Sequence, residues 1–185
     1  MKTTMFQSVS IALGVLAFVG CADTGPETED EDLGYVSLDE FRGTSLSKDL
    51  VNLAVSTAKY LNVTKATGAG YALLPGLDHC FNNQPTGAMG YHYINASMLD
   101  NTIDKLKPES MVYEKQADGS LRLGAVEYIV PAAGWDAAHP GVLPKALGLN
   151  MHLNSALGVY VLHVWLWNYN PRGIFEDWNS LVTCR

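Results

Sequence analysis

The segment Ser110–Val130, SMVYEKQADGSLRLGAVEYIV, decides the fold class of this 185-residue chain. Two runs that alternate in polarity, Ser110–Lys115 and Leu121–Val130, flank the turn-forming sequence Ala117–Ser120. Alternation with a period of two is typical of β-strands. An Asp-Gly pair between such runs favours a tight turn. The segment therefore predicts an antiparallel β-hairpin.

One more strand is predicted on each side of this hairpin. An aromatic-rich segment at 88–95 precedes it, and the most apolar segment of the domain, Leu157–Trp167, follows it as a central strand. Ahead of these strands, apolar residues recur at helical spacing over 45–61, which predicts one long helix. We therefore expect an α+β domain, with an N-terminal helix packed on an antiparallel sheet of about four strands.

Two stretches rich in proline, glycine and asparagine predict irregular structure. Residues 72–87 are predicted to form a loop. Residues 131–155 are predicted to form a long irregular excursion, with a single helical turn around Lys145–Leu149. A long loop inside a compact domain is often functional.

Three ionisable residues interrupt the apolar strands: His92 in the first, Glu127 in the hairpin and His163 in the last. Burying a lone carboxylate is very costly, so Glu127 should have a partner, and the two strand histidines are the natural candidates. Strand alternation predicts which neighbours share their faces. These are Leu123, Ala125 and Ile129 for Glu127, and Val161, Trp165 and Trp167 for His163.

Two histidines and one carboxylate match the protein ligands of an open metal site, and they suit zinc, iron, copper or manganese. His139 and His152, in the long excursion, are positioned to cover such a site or to add a weaker ligand. The alternative is a hydrogen-bonded polar cluster that stabilises the core or lines a ligand pocket without a metal. No compact motif such as His-Glu-x-x-His is present, so both interpretations stay open.

The start of the chain has the features of a bacterial lipoprotein signal. Lys2 gives a positive start, Val9–Val19 is an apolar run too short to span a bilayer, and a small residue precedes Cys21. We predict a signal peptide at residues 1–20 and lipidation of Cys21, which would anchor the protein to a membrane. Cleavage near Ala22, giving a secreted protein, and an uncleaved anchor are the alternatives.

Residues 21–43 predict an acidic disordered tether, because six acidic residues fall within ten positions and little apolar surface is available. Residues 44–185 then form a single domain. The full chain has a formal net charge of −7 and no basic patch, which argues against nucleic-acid binding. The residue after Cys21 is not aspartate, which in a Gram-negative host favours the outer membrane.

Cys80 and Cys184 remain if Cys21 is lipidated. An exported protein meets an oxidising compartment, where two remaining cysteines usually pair. We therefore predict a disulfide that joins the C-terminus to the middle of the domain. Two free buried thiols are the alternative, and a redox pair is disfavoured because neither cysteine lies in a Cys-x-x-Cys motif.

Several short motifs together resemble an uncharacterised family of exported bacterial proteins. They are Gly90-Tyr91-His92-Tyr93-Ile94-Asn95, Val126-Glu127-Tyr128, Leu162–Trp167 with Asn170-Pro171-Arg172-Gly173, and Trp178-Asn179 ahead of Cys184. The resemblance covers about residues 50–185 and implies export and a shared fold. It implies no named activity. Where the family tends to carry Tyr-His-Asp, this chain has Tyr60-Leu61-Asn62.

Two classes of function follow from these observations. The first is a membrane-tethered exported domain that binds a metal ion or small ligand through His92, Glu127 and His163. Its enzymatic form would be a metal-assisted hydrolase or oxidase with Glu127 as ligand or general base. The second is a non-enzymatic structural or interaction protein whose partner is another envelope component.

Overall fold

The computed structural model describes residues 45–185. The predicted signal peptide at residues 1–20, the lipidation site Cys21 and the tether at residues 21–43 lie outside the described residues. Within residues 45–185, no helix combines the length and the apolar character that crossing a bilayer requires.

The helical segment at the start of the described chain is divided rather than continuous. Helix α1 (Ser45–Thr57) is followed by a 3-10 turn (Ala58–Leu61) and by helix α2 (Val63–Gly68). The division falls at Asn62, which is extended and whose side chain accepts a hydrogen bond from the backbone N–H of Thr64 at 2.9 Å. The prediction of one long helix over 45–61 is wrong, because the α-helix ends at Thr57 and the last four residues of that range form the 3-10 turn. Asn62 then starts a separate helix.

Six strands form the main sheet, in the order β1-β2-β3-β4-β8-β7 with every neighbouring pair antiparallel. In chain order the strands are β1 (Phe81–Asn83), β2 (Gly87–Ile94), β3 (Ser110–Lys115), β4 (Leu121–Pro131), β5 (Lys145–Ala146), β6 (Leu149–Asn150), β7 (His152–Asn154) and β8 (Val159–Val164). The pair β5–β6 forms a separate two-stranded sheet.

The mixed α+β class is confirmed, but the prediction of about four strands is wrong. The added edge strands β1 and β7 are three residues long and lie in turn-rich segments, where no alternation of polarity marks them. The predicted excursion at 131–155 is also more regular than expected. It contains helix α3 (Ala132–Ala138), the β5–β6 hairpin and β7. The turn expected to be helical is the tip of that hairpin, where Leu147 and Gly148 both have positive φ.

The predicted hairpin is present as β3 and β4, and a bulge at Gly124 changes which residues share a face. Val112 pairs with Ala125, whereas Tyr113 pairs with Leu123, so Gly124 is the extra residue. Leu123 therefore turns to the opposite face from Ala125 and packs in the main core. The prediction that Leu123 shares a face with Glu127 is wrong for this reason.

Gly124 also redirects the chain that leaves β8. Its carbonyl oxygen accepts hydrogen bonds from the backbone N–H groups of Trp167 and Asn168, at 3.0 and 3.1 Å. Trp167 consequently packs against the main core, while Trp165 packs in a cluster on the other face. The prediction that Trp167 shares a face with His163 is therefore wrong.

Apolar residues cover the sheet on both faces. The larger core includes Leu53 of α1, Tyr113, Tyr128 and Val164. Two smaller clusters lie apart from it, one around Ile94, Ile129 and Val161, and the other around Ala88, Val112, Ala125 and Trp165. Residues of the predicted loop at 72–87 and of the C-terminal tail pack on these smaller clusters.

The predicted disulfide joins Cys80 and Cys184, whose Cα atoms lie 5.6 Å apart. It connects the residue before β1 to the end of the chain. The tail is held a second time by paired backbone hydrogen bonds of 3.1 Å between Ala88 and Asn179. These two attachments fix the residues between Trp165 and the C-terminus against the sheet.

Glu109 extends the β3–β4 ladder by one hydrogen bond. Its Oε2 accepts from the backbone N–H of Ile129 at 2.9 Å, beyond the Ser110–Glu127 pair where β3 begins. Glu109 is 2% exposed. Burial raises the pKa of this carboxyl to about 7, and the hydrogen bond from Ile129 offsets only part of that effect.

Replacing Glu109 with glutamine is expected to make the protein more stable than the wild type as the pH rises. The folded wild type keeps the carboxyl proton up to about pH 7, whereas the unfolded chain loses it near pH 4.5. Wild-type stability therefore falls across this range, by on the order of 2–3 kcal/mol from this group. The amide does not titrate, so urea unfolding at several pH values should show the variant gaining on the wild type between pH 4.5 and 8.

Glu114→Gln is the matched control and should have the opposite sign. Burial raises the pKa of Glu114, but the hydrogen bonds from Arg122, Gln116 and Asn168 and the charge of Arg122 together outweigh it, and the net pKa is lowered. This variant should lose stability relative to the wild type as the pH rises through the range near and below 4.5. A flat difference between Glu109→Gln and the wild type across pH 4.5–8 would contradict the explanation for Glu109.

Candidate functional site

The sheet brings the three predicted strand residues to one place. Glu127 of β4 lies directly opposite His163 of β8 and, on its other side, opposite Ser110 of β3. His92 of β2 pairs with Val112 of β3. Val112 is two residues from Ser110, so the two lie on the same face of the strand. The serine side chain is short, so the longer side chains of His92 and Glu127 can meet above β3.

The side chains of His92, Glu127 and His163, called the His/Glu/His cluster below, converge in the interior. His92 Nε2 lies 3.4 Å from Glu127 Oε2, and His163 Nδ1 lies 3.5 Å from Glu127 Oε1. One ligand atom from each residue can be chosen so that all three lie within 4.8 Å of one another. The three residues are 5%, 6% and 0% exposed, in the same order. No other group of this kind occurs in residues 45–185.

Burial and mutual charge determine the protonation of the cluster. Burial lowers the pKa of His92 to about 4, although the charge of Glu127 opposes this, so the imidazole is neutral at pH 7. Burial alone raises the pKa of Glu127, but the interactions with His92 and His163 outweigh it and the net pKa is lowered. At neutral pH the cluster therefore combines a neutral His92 with an ionised carboxylate, and both are the forms that bind metal ions.

His163 is buried with both ring nitrogens lacking a hydrogen-bond partner among the described residues. The 3.5 Å approach of Nδ1 to Glu127 is close, but its geometry is not that of a hydrogen bond. The ring stacks on Trp165 at 5.3 Å between centroids and meets the His92 ring edge-on at 5.5 Å. A buried polar atom without a partner is uncommon, and an ion at this point would supply one.

The other two histidines considered in the sequence lie outside the cluster. His152 Nε2 is 3.0 Å from Asp177 Oδ2, and the imidazole side chain is about half exposed. His139 stacks on Trp135 with ring centroids 4.0 Å apart, and its Nδ1 lies 3.3 Å from the Trp135 carbonyl oxygen. The structure does not bring either residue into a ligand position.

A cavity of about 210 Å³ adjoins the cluster. His92, Glu127, Asn154 and Asp177 are its polar lining residues. Its apolar lining is formed by Leu74, Leu77, Phe81, Met89, Ile94, Leu99, Ile129, Leu157, Val159, Val161 and Trp178. His163 is not in the lining.

Asp177 and Asn154 were missed by sequence reasoning. Asp177 lies in the turn-rich C-terminal tail and Asn154 ends β7, an edge strand that the sequence did not predict. No periodicity or motif links either residue to the strand histidines. Asp177 reaches the cavity because the disulfide and the Ala88–Asn179 pair hold the tail against the sheet. Asn154 reaches it because β7 pairs with β8.

No protein-family model, curated protein or solved structure matches this chain. The functional conclusion therefore rests on the geometry and chemistry of the site itself.

Proposed function

We propose that this chain is an exported, lipid-anchored protein of the cell envelope that binds one divalent transition-metal ion through His92, Glu127 and His163. The observation that carries the metal site is the convergence of three ligand atoms within 4.8 Å around a carboxylate that is 6% exposed. The buried ring nitrogens of His163, which have no hydrogen-bond partner among the described residues, support it.

The ligand set favours zinc as the first ion to test. Two imidazoles and one carboxylate are a known zinc-binding combination in sites that keep a fourth position open. His92 and Glu127 line the cavity, so that open position would face it. The same nitrogen and oxygen ligands also suit iron, copper and manganese, which are tested in parallel.

Protein purified without a histidine tag is expected to contain about one metal ion per chain, and Glu127→Gln should lose it. Removing the central carboxylate takes away both a ligand and the charge that balances the ion. Because changes to groups that merely support ligands weaken metal binding about 10–100-fold, loss of a ligand should weaken it at least 100-fold. Elemental analysis and zinc competition titration measure both effects.

His139→Ala is the control for this experiment, because it removes a histidine outside the cluster and should leave the metal content unchanged. EDTA should lower the wild-type melting temperature, since an ion present at 100 times its Kd stabilises the fold by about 2.7 kcal/mol. The proposal would be refuted by a wild type that contains no metal and whose melting temperature does not change with EDTA, zinc, copper, iron or manganese. The cluster would then be a structural polar network.

The lipid anchor is supported by the apolar run Val9–Val19 ahead of Cys21 and by the disulfide, which fits an oxidising compartment. Cells expressing the wild type should incorporate radiolabelled palmitate into the protein, and Cys21→Ser should not be labelled. Equal labelling of both proteins would refute lipidation at Cys21, and the secreted alternative would then be tested by fractionation.

A further inference from the structure

We infer that the Ser110 hydroxyl is a positioning group of the metal site, and that it donates a hydrogen bond to the Glu127 carboxylate when that carboxylate binds the ion. Ser110 lies on β3, between the strands that carry His92 and Glu127. This inference rests on the proposed metal site and names a residue that sets its affinity.

The register of the sheet places the Ser110 side chain next to that of Glu127. The two residues lie directly opposite each other on β3 and β4. Residues paired in this way point to the same face of the sheet, and their Cβ atoms are about 4.5–5.5 Å apart. A rotation of side-chain torsion angles is therefore sufficient to bring the hydroxyl and the carboxylate into a direct hydrogen bond.

The contact between His92 and Glu127 brings the carboxylate over β3. Neighbouring strands are about 4.8 Å apart, so β2 and β4 are separated by roughly 10 Å with β3 between them. His92 Nε2 and Glu127 Oε2 nevertheless lie 3.4 Å apart. The two side chains must therefore meet above β3, the strand that carries Ser110.

The Ser110 hydroxyl is buried without a hydrogen-bond partner. Ser110 is 0% exposed, and its Oγ has no partner among the described residues. Six buried side-chain atoms in residues 45–185 lack a partner, and four of them belong to His92, Ser110 and His163. Such atoms are uncommon in folded proteins. Their concentration around Glu127 indicates polar groups arranged for an ion that binds there.

Metal binding would give this hydroxyl its partner. A carboxylate that binds a metal ion is ionised, so it can only accept hydrogen bonds, and the oxygen that does not bind the ion keeps its lone pairs free. Carboxylates that ligate metal ions are in turn hydrogen-bonded, which fixes their orientation. Ser110 is not among the residues that line the cavity, so its hydroxyl acts on Glu127 and not on a molecule in the cavity.

Ser110→Ala is expected to weaken zinc binding by the full-length protein about 10–100-fold, the usual effect of removing a group that supports a metal ligand. In EDTA the same variant should be at least as stable as the wild type, because it removes a buried hydroxyl that has no partner. Competition titration with a chelator measures the zinc Kd, and urea unfolding in EDTA measures the stability. Zinc affinity equal to that of the wild type, or a clear loss of stability in EDTA, would overturn the inference.

Thr57→Val is the matched control, because it removes a buried hydroxyl that already has a partner. Thr57 Oγ1 donates to the Leu53 carbonyl oxygen at 2.7 Å within helix α1. This variant should lose stability in EDTA and keep the wild-type zinc affinity, which is the reverse of the result expected for Ser110→Ala. Zinc binding weakened equally in both variants would show that the affinity follows the stability of the fold, and would also overturn the inference.

Ser110→Thr keeps the hydroxyl and should bind zinc with an affinity close to that of the wild type. A folded Ser110→Thr protein that binds zinc as weakly as Ser110→Ala would show that the hydroxyl has no part in binding. If the added methyl group prevents folding, the comparison of Ser110→Ala with Thr57→Val decides. A wild type that binds no metal refutes the proposed function, whereas equal zinc binding by the wild type and Ser110→Ala refutes this inference alone.

Discussion

Replacing His163 with alanine is expected to lower the free energy of unfolding by about 3–5 kcal/mol, measured by urea unfolding at pH 7 in EDTA. His163 is fully buried and its Nδ1 lies 3.5 Å from Glu127 Oε1. The variant leaves the carboxylate with His92 as its one remaining cluster partner and opens space beside Trp165. An ionised group that loses its partner in the interior keeps its desolvation cost without the compensating interaction.

A double-mutant cycle shows whether the loss of stability in His163→Ala comes from the buried, uncompensated charge of Glu127. His163→Ala should cost less in a Glu127→Gln background than in the wild type, because the neutral amide leaves no buried charge to compensate. His139→Ala should cost less than 1 kcal/mol by comparison, since that imidazole stacks on Trp135 outside the cluster. Equal costs of His163→Ala in both backgrounds would show that lost packing, not charge, explains the effect.

Removing the disulfide is expected to be the other large change. Cys80 and Cys184 are 104 residues apart, and closing a loop of that length is worth about 4–5 kcal/mol in the chain-entropy model. The measured loss in the Cys80→Ser/Cys184→Ser double variant should lie between about 2 and 5 kcal/mol, because engineered and native bonds often deliver less than the model predicts. Urea unfolding measures the loss directly.

The same bond also holds the cavity together. Asp177 and Trp178 line the cavity and lie in the tail that the disulfide attaches. Dithiothreitol should destabilise the wild type by a similar amount and should leave the double variant unchanged. A double variant that unfolds at the wild-type urea concentration would show that the Ala88–Asn179 backbone pair is sufficient to hold the tail.

Sequence reasoning was most successful where a local pattern carried the information. The β3–β4 hairpin follows from alternation and an Asp-Gly turn, and both are contained in a single segment of the chain. The disulfide followed from counting cysteines in a chain for which the sequence predicts export. The grouping of Glu127 with the strand histidines followed from the cost of burying a lone carboxylate.

Sequence reasoning failed where one residue changes the outcome for its neighbours. The bulge at Gly124 moves Leu123 to the opposite face, and its carbonyl oxygen redirects Trp167. Nothing in the pattern LRLGAVEYIV shows that glycine to be an extra residue in the ladder, because an unbulged strand of the same composition would alternate equally well. The short edge strands β1 and β7 were missed because three residues are too few to show a period.

The sequence by itself determined the α+β class, the hairpin and the cysteine pair, and it identified three ionisable residues on apolar strands that needed partners. These features depend on periodicity and on the cost of burial, which are properties of each segment. Only the tertiary structure decided that His92 reaches Glu127 across β3. It alone placed Asp177 at the cavity, because contacts between residues far apart in the chain depend on the sheet order and on the attachment of the tail.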